Sequence, residues 1–259
     1  MNACRAGAAL CLGLAACGGI DPAQVNSVSI SAPLRRVDRV DHSAFDAILS
    51  EAVDEQGLVD YRSLLAKRAA LSSYLDDLAT VDVGALANDA ERKAYWIDAY
   101  NAFTLAGILD HYPVRSIRDL RGFWTQLRAN LGGRLVTLDE IEHRILRPMG
   151  DPRIHMAINC ASASCPILDR RAYRGADLDA RLDEAARRFL ASGQRNRFDD
   201  EKKVAHLSRI FAWFGEDFAP YGGVRGFVRR FAPDRPWLRG EFPISYLPYD
   251  WSLNERSAK

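Results

Sequence analysis

The run ANDAERKAYWIDAYNAFTLAGILDHYP, residues 87–113, constrains the fold more than any other stretch of this chain. Its pattern predicts a helix over 88–112, the longest in the sequence. Pro113 stops it, because proline lacks an N–H and its ring collides with the preceding turn. Other helices are shorter. Phe45, Ile48, Leu49 and Val53 recur at helical spacing until Gly57 ends the pattern, and KRAALSSYLDDL at 67–78 makes a second. Thr137 and Glu140 form a capping box in front of LDEIEHRIL. DLDARLDEAARRFLAS is amphipathic, and RIFAWFGEDF adds a last helix.

Strands are few. ANLGGRLVTL reads as a Gly-Gly hairpin, RIHMAI as a buried strand, and KKVAHLS as a short one. FPISYLPYDWSLN is extended and broken by prolines, which suits an edge strand or a surface loop. The expectation is an α+β fold: a mainly helical single domain around a small antiparallel sheet.

The N-terminus, MNACRAGAALCLGLAACGGI, holds three of the five cysteines. Arg5 precedes an apolar run at 6–16 that is shorter than the roughly 20 residues needed to span a bilayer. It reads as a secretory signal. Leu14-Ala15-Ala16-Cys17 looks like a bacterial lipobox, which implies a signal peptide at 1–16, cleavage before Cys17 and a lipid on its sulfur. Gly18 stands where aspartate would retain the protein in the inner membrane, so the reading is an outer-membrane anchor facing the periplasm. Residues 17–40 then form a flexible tether, 41–254 the globular domain and 255–259 a tail. After export only Cys160 and Cys165 remain as thiols, and an oxidising compartment favours pairing them.

With 35 basic and 34 acidic residues and no basic stripe, nucleic acid is not an expected partner. A peptide, a glycan or another protein fits better, with the membrane reached through the lipid on Cys17. Neither a cofactor nor a metal is expected: two cysteines four residues apart, with no second Cys/His pair nearby, do not resemble a structural zinc site.

The chemistry concentrates in RIHMAINCASASCPILD, residues 153–169. Cys160 stands where the expected strand gives way to small residues, a junction whose free N–H groups can lower a thiol's pKa or bind an oxyanion. Asn159 and Ser162 supply polar groups beside it. Three readings of Cys160 stay open: a nucleophile, one half of a disulfide with Cys165, or a packed core residue. The disulfide needs a compact turn, because five residues of helix already rise ~7.5 Å, beyond the ~7 Å Cα limit.

On a straight strand His155 would stand ~16 Å from Cys160 and on the opposite face, so it is expected as a core histidine bonded to backbone or a supporting residue, not the base. His143 is, with His206 a weaker choice. Glu142 lies four residues after Leu138 and three before Ile145, bordering the buried face. It is the expected orienter of His143, whose own direction is toward Asp139 and Arg147. Asn101 sits on the apolar stripe between Ile97 and Leu105, where a buried amide must find partners. It either anchors the cysteine loop or orients a substrate. Trp213, Phe214, Tyr249 and Trp251 are core or cleft lining.

The blocks YWIDAYNAFTLAGILDHYPVRSIRDL, LDEIEHRIL, RIHMAINCASASCPIL, LSRIFAWFGEDF and YDWSLN together resemble the bacterial members of the family called domain of unknown function 547, over 61–254. The resemblance implies one α+β domain and draws attention to the Glu-His pair and the cysteine block. It implies no reaction. The expectation for function is a cysteine-dependent hydrolase or acyltransferase acting on amide or ester bonds, with Cys160 as nucleophile. The alternative is a non-catalytic envelope binding or scaffold module clipped by a Cys160–Cys165 disulfide. A thiol–disulfide role ranks below both, since C-x4-C lacks the CxxC spacing.

Overall fold

Three helices, α1 (Ser43–Ala52), α2 (Tyr61–Leu65) and α3 (Arg68–Ala79), lead to the long helix α4 (Asp89–Leu109). The computed structural model describes residues 25–26 and 31–256. The signal segment, Cys17 and half of the expected tether lie outside them. Asn88 caps α4 by accepting the Glu91 N–H at 2.9 Å, which satisfies one of the donors a helix start leaves free. Every residue from Ala94 to Leu109 is buried, so α4 is surrounded by the rest of the chain, as a helix with apolar residues all round requires. Gly107 marks its closest neighbour. A Cβ there would meet Leu127 Cδ2 at 2.7 Å and Phe123 Cε2 at 2.9 Å.

The predicted hairpin forms as β1 (Ala129–Leu131) and β2 (Arg134–Val136), antiparallel. Gly132 and Gly133 both take positive φ, +58° and +74°, as a two-residue turn of this hand demands. The Thr137–Glu140 capping box is present and opens α5 (Leu138–Glu140), which widens at once into a π-helix, Ile141–Leu146. Beyond lie α6 (Leu178–Ala191), β3 (Arg197–Asp199), β4 (Val204–Leu207), α7 (Ile210–Trp213), α8 (Gly223–Phe231) and β5 (Ile244–Tyr246). Strand β4 pairs with β3 antiparallel and with β5 parallel. The fold is helical α+β with one antiparallel and one mixed sheet, and the proline-flanked segment supplies an edge strand.

Two apolar clusters share the interior. One is built around α4. The other joins α6, α7, α8 and β4 through Phe189, Phe211, Phe218 and Phe227. Met156 belongs to the second and Ile158 to the first, so the segment at 152–160 runs along their seam.

That segment is the main departure from the sequence reading. RIHMAI is no strand: Pro152–Met156 is a 3-10 helix. Pro152 fits its first turn, where a missing N–H costs nothing, and the Asp151 carboxylate accepts the Arg153 N–H at 3.1 Å. The geometric exclusion of His155 falls with the strand. The C-terminal segment closes over the loop that follows: Ala163 N–H donates to Ser252 O at 2.8 Å and Asn254 N–H to Ala161 O at 3.0 Å. Among the described residues, no helix is long and apolar enough to cross a membrane.

Candidate functional site

Cys160 and Cys165 are joined as a disulfide, with Cα atoms 6.1 Å apart. The compact turn that such a bond needs is built by Asn159 and Ala161. Asn159 spends its amide on the loop, donating to Pro166 O at 2.6 Å and accepting the Ala161 N–H at 2.8 Å. Ala161 takes a φ of +64°, a left-handed conformation that costs a non-glycine residue about 1–2 kcal/mol. From α4, Asn101 holds the loop in place. Its Nδ2 donates to Ala157 O at 3.0 Å and its Oδ1 accepts the Asn159 N–H at 2.8 Å. Both amides are thus consumed by backbone, and Asn159 is not positioned as an oxyanion donor.

Cys160 and Cys165 both line a cavity of about 360 Å³ that opens at the seam of the two clusters. Its walls are aromatic: Trp124, Trp213, Phe214, Tyr249 and Trp251. Trp213 stacks on Trp251 at 5.6 Å and lies 4.8 Å from Tyr249, centroid to centroid. The polar groups on the walls are Thr125, Asp139, Glu142, His143, His155 and the Tyr100 and Tyr249 side chains. Ser162 Oγ is 3.2 Å from Cys160 Sγ and 3.1 Å from the Tyr249 hydroxyl. Burial pushes the Tyr249 phenol up to about 12, so it stays a neutral hydroxyl beside the sulfur.

The two histidines differ in what their ring nitrogens are free to do. His155 Nε2 donates to Asp217 Oδ2 at 2.8 Å, because a carboxylate can only accept. Its Nδ1 therefore carries the lone pair, 4.0 Å from Glu142 Oε1. The ring is buried and stacked on Phe214 at 4.1 Å; burial lowers its pKa to about 4. Asp217 is itself gripped by the Arg147 fork at 2.6 and 2.8 Å, and that guanidinium holds it below the usual carboxylate range.

His143 lies on the rim, its side chain 37% exposed. Arg147 donates to His143 Nδ1 at 3.0 Å, and a guanidinium has no other role to offer. The acceptor lone pair of His143 is thus occupied, and its Nε2 lies 3.7 Å from Asp139. The directions expected for His143 hold, but the carboxylate beside it is Asp139. Glu142 turns instead to His155 and accepts from the Tyr100 hydroxyl at 3.3 Å. Burial drives Glu142 up to about 7. His206 is elsewhere, bonded to Ser245 Oγ at 2.6 Å in the mixed sheet.

Asp217 and Tyr100 were not legible as site residues. Asp217 falls in a 3-10 turn after α7, between Phe214 and the buried Phe218; one acid in an aromatic helical pattern gave no warning. A second buried cluster also escapes the pattern. His42 Nδ1 lies 2.6 Å from the Tyr74 hydroxyl and 3.1 Å from Asp98 Oδ2, and both Asp98 oxygens accept the Tyr173 N–H. An aspartate in the middle of YWIDAYNAF was the available signal. Burial lowers His42 to about 4 and raises Asp98, and the cluster ties α3 and α4 to the segment at 172–173. Among the described residues, no three His, Cys, Asp or Glu side chains gather as a metal-binding group.

Residues 85–190 match the profile of a family described as "Protein of unknown function, DUF547". The match covers about two fifths of the chain and is narrower than the span of the resemblance. It includes Glu142, His143, His155 and both cysteines, and stops before Asp217 and the aromatic wall at 213–251. No curated protein and no solved structure matches the chain.

Proposed function

We propose, from the chemistry gathered around the cavity, that this protein is a thiol-dependent acyl hydrolase or acyltransferase, cleaving an amide or ester held against the aromatic wall. The observation that carries the reading is that Cys160 opens onto the same cavity as a buried carboxyl poised near neutrality and a carboxylate-held imidazole. In the reduced protein the Cys160 thiol gives its proton to the Glu142–His155 pair, and the thiolate attacks the substrate carbonyl carbon. Glu142 has the better-matched pKa for this transfer. Asp217 fixes the imidazole and stabilises any charge it gains, and the Tyr249 hydroxyl, which lines the cavity and is bonded to Ser162 behind it, stands beside the developing oxyanion. The same acid–base pair returns the proton to the leaving amine or alcohol, and water or a second acceptor then releases the thioester.

The second reading, a binding module clipped by its cystine, is favoured by the bond between Cys160 and Cys165. The two separate on paired variants. Reduced protein carrying Cys165→Ser should hydrolyse a p-nitrophenyl ester, and Cys160→Ser should lower that rate by about 10²-fold or more. Equal rates in the two variants would favour the clip. For both readings the proposed location is the bacterial envelope, with a lipid on Cys17. A cystine supports it, since disulfides persist in exported proteins and are rare where thiols are kept reduced. Radiolabelled palmitate should enter the intact precursor and not its Cys17→Ala variant.

A further inference from the structure

The two sulfurs of the cystine are unequal. Cys165 is buried, 3% exposed, whereas Cys160 is half-buried. The Cys160 backbone N–H donates to Cys165 Sγ at 2.8 Å. Cys165 is also tied by its own backbone, its N–H donating to Ser162 O at 3.0 Å and its carbonyl accepting from Arg195 Nε. Thiol–disulfide exchange requires access to the sulfur attacked and stabilisation of the sulfur that leaves. Both cysteines line the cavity, but Cys160 is the more exposed of the two, and stabilisation of a departing thiolate falls to Cys165.

We propose that the Cys160–Cys165 bond is a reactive cystine, and that a low-molecular-weight thiol entering the aromatic cavity attacks Cys160 Sγ and expels Cys165 as thiolate. In the first step the incoming sulfur bonds to Cys160, the bond between the two cysteines breaks, and its electron pair leaves on Cys165, facing the Cys160 N–H. The proton of the incoming thiol passes to the cavity's acid–base groups, of which Glu142 is the one held near neutrality. A second thiol then attacks the mixed disulfide at its own kind of sulfur. This frees Cys160 and completes the balance: two thiols become one disulfide, and the cystine gains two electrons and two protons. The inference does not rest on the acyl-transfer reading, because it needs no carbonyl substrate. It supplies that reading with a means of uncovering its nucleophile.

The test uses the full native protein and 2-mercaptoethanol as the probe. The reaction is quenched in acid at early times, free thiols are alkylated, and the adduct is located by peptide mass spectrometry. The expected result is a mercaptoethanol adduct on Cys160 with Cys165 alkylated, in excess over the reverse arrangement by about tenfold or more. An adduct mainly on Cys165, an even distribution, or opening of the bond only after denaturation would overturn the proposal. Cys165→Ser serves as a control that needs no cystine. With 2-hydroxyethyl disulfide it should hold the mixed disulfide on Cys160, and no adduct there would also count against the inference. If exchange fails while the Cys165→Ser enzyme still hydrolyses esters, only the exchange falls.

Discussion

Glu142 is the residue whose environment departs furthest from what its sequence position suggests. Helical spacing put it at the edge of a buried face, which holds, but could not say which histidine it would meet. Burial raises it to about 7, and the sign of the consequence follows. Between the ordinary carboxylate pKa and about 7 the folded protein keeps a proton that the unfolded chain releases, so this group's contribution to stability is full at low pH and is lost as pH rises through 7. His155 acts in the opposite sense. Its lowered pKa gives stability that is present above the ordinary histidine value and lost as pH falls toward about 4. The two slopes offset each other between about pH 4.5 and 6.5. Glu142→Gln removes one of them. Urea unfolding should find it more stable than the wild type by about 1–3 kcal/mol near pH 8.5 and indistinguishable below about pH 4. A difference independent of pH would contradict the assignment.

At the scale of elements, periodicity located α1, α3, α4 and α6 because each hides one stripe or, for α4, the whole circumference, but it passed over α2 and α8. Local chemistry did as well where it is self-contained, as in the capping box and the Gly-Gly hairpin. It failed at RIHMAI. A short apolar run is equally compatible with a strand and with a buried helical turn, and what decides here is Pro152 with the Asp151 cap, both lying before the apolar residues. That single misreading reversed the order of the histidines. The π-helix at Ile141–Leu146 was beyond periodicity altogether; such widened turns often occur at functional sites. Asn101 shows how one element fixes another. Asn101→Leu would leave Ala157 O and Asn159 N–H buried without partners, at a cost of about 2–4 kcal/mol in urea unfolding. A change below about 0.5 kcal/mol would mean that the cysteine loop holds itself.

Across the whole molecule, the cavity is made where two apolar clusters meet, and its walls come from segments spread over 100–251. That is why the sequence could nominate Cys160, Glu142 and His143 one by one but could not assemble them. Asp217, its Arg147 grip and the stacking of Phe214 on His155 depend on contacts across the seam. The central claim is that acid–base chemistry at Cys160 runs through Glu142 and His155, with His143 outside it. The most direct measurement is the rate of Cys160 alkylation by iodoacetamide in reduced Cys165→Ser protein, followed against pH. The rate should rise through about pH 7, the value set by Glu142. Adding Glu142→Gln should abolish that step, and adding His155→Ala should slow alkylation by about tenfold or more. His143→Ala should change it by less than about threefold. Slowing by His143→Ala alone, with His155→Ala and Glu142→Gln without effect, would contradict the account.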